Sequence, residues 1–114
     1  MNAADIKRQI LESSDKTGIR KRVASNEAGL STEDVIEMGA ALEELVRSKG
    51  WSYVEEYILH RCNPSVILES DDPNVRLTAK TLMYLMQWVN QMILAKNDFL
   101  RRANAKDSEN QTTR

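Results

Sequence analysis

Apolar and polar residues alternate with a helical period along most of the chain, and this pattern predicts an all-α protein. The clearest segment is GLSTEDVIEMGAALEELVRSKG, where apolar residues recur at spacings of three and four from Val35 to Leu45. Ser31 is a suitable N-cap, with acidic residues after it. Gly50 follows two basic residues and would provide a left-handed C-terminal stop. We therefore predict a helix over residues 32–48.

A second helix is predicted in the segment SKGWSYVEEYILHRCNP. Ser52 and Glu55 have the spacing of a capping box, so this helix is expected to begin near residue 52. Asn63 precedes Pro64, and the residue before a proline disfavours helical geometry. The second helix should therefore end or kink near Cys62.

The longest predicted element begins at Asp72 and Pro73, a capping residue followed by a proline at the first helical position. Its inward face is predicted from strict spacings of four and three, which only a lysine interrupts: Val75, Ala79, Leu82, Met86, Val89, Ile93, Lys96, Leu100 and Ala103. Further apolar side chains widen this face, so more than one side of the helix needs cover. We predict that a second copy of the chain or another protein covers it at Leu85, Trp88, Met92 and Phe99. The alternative is a compact monomeric bundle, in which this face belongs to an ordinary core.

The ends of the chain are more polar than its middle. Residues 1–30 are predicted to be a flexible arm, in which residues 3–12 could form a short helix. Residues 31–104 would form the helical domain, and residues 105–114 have the composition of a disordered tail. The expected architecture is three main helices, of which the last two form an antiparallel hairpin.

Composition narrows the class of protein. A chain of 114 residues has room for one domain, and its single cysteine cannot form an intramolecular disulfide. The N-terminus lacks the apolar core of a signal peptide, which predicts a cytoplasmic protein. The richest apolar segment, residues 82–94, is too short to span a membrane, which needs about 20 predominantly apolar residues.

Charge is unevenly distributed although the net charge is only −1. Residues 31–72 carry ten acidic and three basic side chains, whereas residues 73–114 carry seven basic and three acidic ones. This asymmetry favours packing between the two segments or a charged partner. The alternative is that these charges lie on solvated helix faces, where exposed pairs contribute little stability.

The rarer reactive side chains do not form a catalytic or metal-binding pattern. His60 and Cys62 would point about 200° apart on a helix, which is incompatible with a thiol–imidazole pair. Zinc sites need about four ligands, and the chain contains no second cysteine or histidine. We expect no metal, no cofactor, no small-molecule substrate and no enzymatic activity. Trp51, Tyr57 and Cys62 are interpreted as packing residues between helices.

The compact basic motif is GIRKRVAS. Arg20, Lys21 and Arg22 could neutralise phosphates in a salt-sensitive, sequence-independent way. A solubilising arm or a docking segment is the competing interpretation.

The order of LVRSKGW, SYVEEYILHR, ESDDPN and a long amphipathic helix resembles small helical-hairpin proteins of tailed bacteriophages over residues 40–100. That resemblance implies a virion-associated or assembly role, with the host cytoplasm or the virion as its location. The expected function is a non-enzymatic structural protein that self-associates and docks on a larger complex. The alternative is a small nucleic-acid-associated or regulatory protein that uses the basic cluster at 20–22.

Overall fold

A computed structural model describes the backbone of residues 2–112 and the side chains of residues 2–106. The described chain is entirely helical and has no strand. Its six helices are α1 (Ala3–Glu12), α2 (Ile19–Ala24), α3 (Thr32–Arg47), α4 (Lys49–Arg61), α5 (Pro64–Glu69) and α6 (Pro73–Thr112). The predicted all-α class is thus confirmed, but six helices replace the expected three.

Helix α3 begins as predicted, because the Ser31 hydroxyl accepts a hydrogen bond from the amide of Asp34 at 3.1 Å. Its end is different. The chain breaks at Ser48, whose backbone is extended and whose hydroxyl accepts from the Trp51 amide to cap α4. Gly50 therefore lies inside α4, and the predictions of a stop at Gly50 and a cap at Ser52 are wrong. A serine that leaves the helical backbone conformation supplies both the break and the next cap.

Helix α4 ends at Arg61, close to the predicted position. Asn63 has an extended backbone, as expected before a proline, and its side chain accepts from the amide of Ser65. Pro64 then occupies the first turn of α5, where its missing N–H group leaves no helical hydrogen bond unmade. The two prolines of the chain therefore both start helices.

Helix α6 is the centre of the fold and contacts each of the other five helices. Its 40 residues correspond to about 60 Å of helix, which accounts for most of the 66 Å long axis of the molecule. The side chains of Ala79, Met86 and Val89 are buried on the inward face that the spacing predicts. Beyond the cover of the other helices the same face becomes exposed, from Leu100 onward.

Helix α3 approaches α6 most closely at Gly39. A β-carbon placed there would lie 2.9 Å from the carbonyl oxygen of Met92 and would overlap the β-carbon of Lys96. Farther along the chain, the Cys62 thiol donates to the carbonyl oxygen of Ala79. Gly39 therefore lies beside a later part of α6, at Met92, and Cys62 lies beside an earlier part, at Ala79.

The short helix predicted over residues 3–12 is found as α1, but the arm around it is not free, because α1 and α2 both pack on α6. Ile6 and Ile10 are each 5% exposed and join Ile58, Leu59 and Met86 in the main core cluster. Their spacing of four places both on one face of α1, which supplies apolar cover that α4 alone does not provide. Ile19 anchors α2 in the same way.

A buried glutamine fixes the junction between α1 and α2. Gln87 of α6 is fully buried, and its amide nitrogen donates to the Ile10 carbonyl oxygen at 2.7 Å. The Thr17 hydroxyl donates to the Gln87 side-chain oxygen at 2.7 Å. One side chain of α6 therefore satisfies a carbonyl at the end of α1 and a hydroxyl of the connection that follows.

The predicted tail at 105–114 differs from the structure where the backbone is described, since α6 continues to Thr112. Residues 113–114 of that predicted tail lie outside the described residues.

Candidate interaction surface

Helix α6 has an exposed apolar stripe that no other described helix covers. Leu77, Leu85 and Trp88 are 65%, 46% and 37% exposed. At about 100° of rotation per residue these positions lie within an arc of roughly 80°. This α6 stripe extends along three turns of the helix, with the exposed Thr81 between Leu77 and Leu85.

Helix α4 carries a second exposed apolar set on its outer side. Tyr53, Val54 and Tyr57 are 62%, 45% and 53% exposed. Tyr57 lies one turn from both of the others, four residues after Tyr53 and three after Val54. The guanidinium of Arg61 lies 5.3 Å from the centre of the Tyr57 ring, within the range of a cation–π contact. We call Tyr53, Val54 and Tyr57 the α4 patch.

Tyr57 of the α4 patch and Leu85 of the α6 stripe face the same side of the molecule, whereas Leu77 and Trp88 turn farther from the core. Ile58 of α4 and Met86 of α6 share the core, so these helices pack together along that line. Two residues on one side of this line contact α1. Glu55 of α4 forms an ion pair with Lys7, and Gln87 of α6 donates to the carbonyl oxygen of Ile10. Positions turned about 100° the other way from the core residues, Tyr57 and Leu85 among them, therefore line the opposite groove.

This open groove is the candidate interaction surface. Helix α1 fills the first groove between α4 and α6, whereas the exposure of the residues lining the second shows that no described helix fills it. Its walls combine aromatic side chains with an arginine, a composition that is enriched in protein–protein interfaces. Contiguous exposed apolar surface of this kind marks interaction sites on folded proteins.

The four residues predicted as an interface fall in different environments. Leu85 and Trp88 lie on the exposed α6 stripe. Met92 is 4% exposed and packs where α3 approaches α6, so it is part of the core. Phe99 is half-buried. Truncating a fully buried tryptophan ring lowers the free energy of unfolding by about 3–5 kcal/mol. Trp88 is only partly buried, so that figure does not apply to it.

The α4 patch was not predicted from the sequence. The spacing of four in the sequence predicts Val54, Ile58 and Cys62 as the inward line of this helix, with Tyr57 as a packing residue beside it. In the structure Glu55 and Leu59 share the inward side with Ile58, and Val54 and Tyr57 point outward. Helix α1 lies on the inward side of α4, where Lys7 forms an ion pair with Glu55.

The basic cluster lies on α2. Ile19 is buried and lies on the side of this short helix that contacts α6. Arg20, Lys21 and Arg22 lie on its other sides and are all exposed. Arg20 also forms an exposed ion pair with Asp15 at 3.3 Å. The three side chains therefore spread over the outer side of α2, and one of them has an acidic neighbour.

The lone thiol is inward and the lone imidazole is outward. Cys62 is half-buried, and burial raises the pKa of its thiol, which disfavours the reactive thiolate at neutral pH. His60 is exposed. No group of three or more potential metal ligands occurs among the described residues.

Among residues 2–112, no helix combines the length and the apolar composition that are needed to span a lipid bilayer. The chain matches no protein-family model, no curated protein and no solved structure.

Proposed function

We propose that this protein is a non-enzymatic structural or assembly protein that self-associates through the open groove between α4 and α6. The observation that carries the proposal is the exposure of Tyr57 and Leu85 beside the same groove, next to the other exposed apolar side chains of α4 and α6. A second copy would cover both surfaces at once. The virion-associated role implied by the phage resemblance, and docking on a larger complex, belong to the same proposal.

The fold supports this role because it presents the groove on a long, rigid helix. The pairs Gly39–Met92 and Cys62–Ala79 support opposite chain directions in α6 and in the α3–α4 segment. The three helices would then form an extended antiparallel hairpin. Helices α1 and α2 brace one side of that hairpin and leave the other free. Elongated helical subunits with one free side are suited to lateral association.

The aromatic side chains supply most of the expected binding energy. A tryptophan buries up to about 250 Å², so the 37% of Trp88 that is exposed corresponds to roughly 90 Å². At about 25 cal/mol per Å², covering it contributes about 2 kcal/mol. Tyr57, 53% exposed, contributes a similar amount by the same arithmetic. Only part of this sum becomes affinity, because association also costs translational and side-chain entropy.

The test is sedimentation over a wide range of protein concentration. The wild-type chain should form a dimer or larger oligomer, and Leu85→Lys should shift the equilibrium toward monomer without changing the helical circular dichroism signal. A charge placed in the covered groove loses its hydration, so dissociation should increase at least tenfold. A wild-type chain that is monomeric at every concentration would contradict the proposal.

Leu94→Lys is the matched control. Leu94 is the same residue type on the same helix, and it is 50% exposed compared with 46% for Leu85. Nine residues separate the two, so they point about 180° apart. Association should be unaffected by Leu94→Lys. If this variant dissociates and Leu85→Lys does not, a different face mediates the contact.

A nucleic-acid-associated or regulatory role is the second candidate, favoured by the exposure of all three side chains of the basic cluster on an anchored helix. Arg20→Ala combined with Arg22→Ala should then remove binding to duplex DNA or RNA, and the wild-type affinity should fall steeply with salt. Absence of binding at low salt would exclude this role.

A further inference from the structure

An apolar cavity lies on the opposite side of the molecule from the open groove. It is bounded by α1, the ends of α4 and α5, and the beginning of α6, and its volume is about 260 Å³. Its inner wall consists of side chains that belong to or pack against the core cluster, namely Ile6, Ile10, Cys62 and Met83. Pro64 and Ile67 of α5 form part of its outer wall.

Two cationic side chains stand at this cavity. Arg76 and Lys80 both line it and are one turn apart on α6, so their β-carbons are about 5–6 Å apart. Neither forms an ion pair with any carboxylate among the residues whose side chains are described. Two like charges at this spacing repel each other, and an anion between them would remove that cost.

The other polar side chains of the lining are neutral: Gln9 contributes an amide, and Ser13 and Cys62 are hydrogen-bonded within the protein. The Ser13 hydroxyl donates to the carbonyl oxygen of Gln9 within α1. The Cys62 thiol donates to the carbonyl oxygen of Ala79 at 3.4 Å. The cavity thus has an apolar body and a cationic rim.

We propose that this cavity binds a small amphiphilic carboxylate, with its apolar body against the core wall and its carboxylate between Arg76 and Lys80. The size fits this class of ligand. A cavity of about 150 Å³ holds benzene, and 260 Å³ is roughly 1.7 times larger. An eight-carbon fatty acid exceeds benzene by about the same ratio in non-hydrogen atoms, so octanoate is a suitable probe. Binding here does not depend on the open groove, and the ligand is held without chemical change.

Cys62 provides a direct readout, because it lines the cavity and is the single cysteine of the chain. Octanoate below its micellar concentration should slow alkylation of Cys62 by iodoacetamide in a saturable way, as measured by intact-protein mass. Octan-1-ol has the same apolar body without the charge and should protect at least tenfold more weakly. Equal protection by the alcohol would overturn the role assigned to the two cations.

Variants locate the site. Arg76→Gln combined with Lys80→Gln should weaken octanoate protection about tenfold, since both partners of the carboxylate lose their charge. Lys21→Gln combined with Arg22→Gln removes the same charge from α2, away from the cavity, and should leave protection unchanged. Equal weakening by both pairs would show a nonspecific charge effect and contradict the proposal.

A filled cavity is the final check. Ile67→Trp places a larger side chain in the outer wall, and it should abolish octanoate binding by calorimetry while thermal unfolding confirms that the variant is folded. Octanoate that still binds a folded Ile67→Trp protein, or that gives no protection of wild-type Cys62, would refute the proposed site.

Discussion

The contact between α3 and α6 leads to a prediction about two helical glycines. Gly39 is buried where the helices meet, and an added β-carbon would lie 2.9 Å from the Met92 carbonyl oxygen. Gly50 lies in α4, and its nearest neighbour for such a carbon is the Ser48 hydroxyl at 4.0 Å. Replacing each glycine by alanine therefore tests one close helix contact against one open position.

Two effects oppose each other in Gly39→Ala. Alanine favours the helical backbone over glycine by about 1 kcal/mol. The new methyl group also forces α3 away from α6 or displaces the β-carbon of Lys96, and overpacking of this kind costs about 1–3 kcal/mol. Only the first effect operates in Gly50→Ala. We expect the Gly50→Ala variant to be more stable than the wild-type protein. The Gly39→Ala variant should be less stable than the Gly50→Ala variant by about 1–3 kcal/mol.

Urea unfolding monitored by circular dichroism measures both free energies of unfolding. The comparison needs one protein concentration throughout, because association makes apparent stability depend on concentration. The m-values should be equal, so that differences in midpoint report stability rather than a change in compactness. If Gly39→Ala and Gly50→Ala stabilise the protein equally, the close approach of α3 and α6 is wrong.

Three further perturbations address the polar contacts of the fold. Gln87→Met should destabilise the protein by about 1–3 kcal/mol, because it removes both hydrogen bonds that tie α6 to the Ile10 carbonyl oxygen and to Thr17, and hydrogen exchange should rise first in residues 3–24. The hydrogen bond from Lys96 holds the pKa of Glu43 below its usual value of 4.5. This carboxylate therefore stabilises the fold above that value and loses its contribution as pH falls through the lowered pKa; acid unfolding of Glu43→Gln should lack that part of the pH dependence. Ser48→Ala removes the cap of α4 and should lower the thermal midpoint by an amount equivalent to about 1 kcal/mol, whereas an unchanged midpoint would contradict the capping role.

The sequence by itself determined the elements whose signals are local. The cap at Ser31, the break at Asn63–Pro64 and the start of α6 each depend on neighbouring residues and are found where they were predicted. The inward face of α6 also follows from spacing alone, since a helix fixes which residues share a side. Lys96, which interrupts the apolar spacing, is buried as well.

Only the tertiary structure decided how these elements are covered. It pairs Lys96 with Glu43, 53 positions earlier, and joins Gln87 to α1 and α2. It also places α1 in one groove of α4 and α6, whereas Tyr57 is exposed on the other side. Helical periodicity identifies an apolar face but not the helix that will cover it, because that choice depends on packing between residues far apart in sequence.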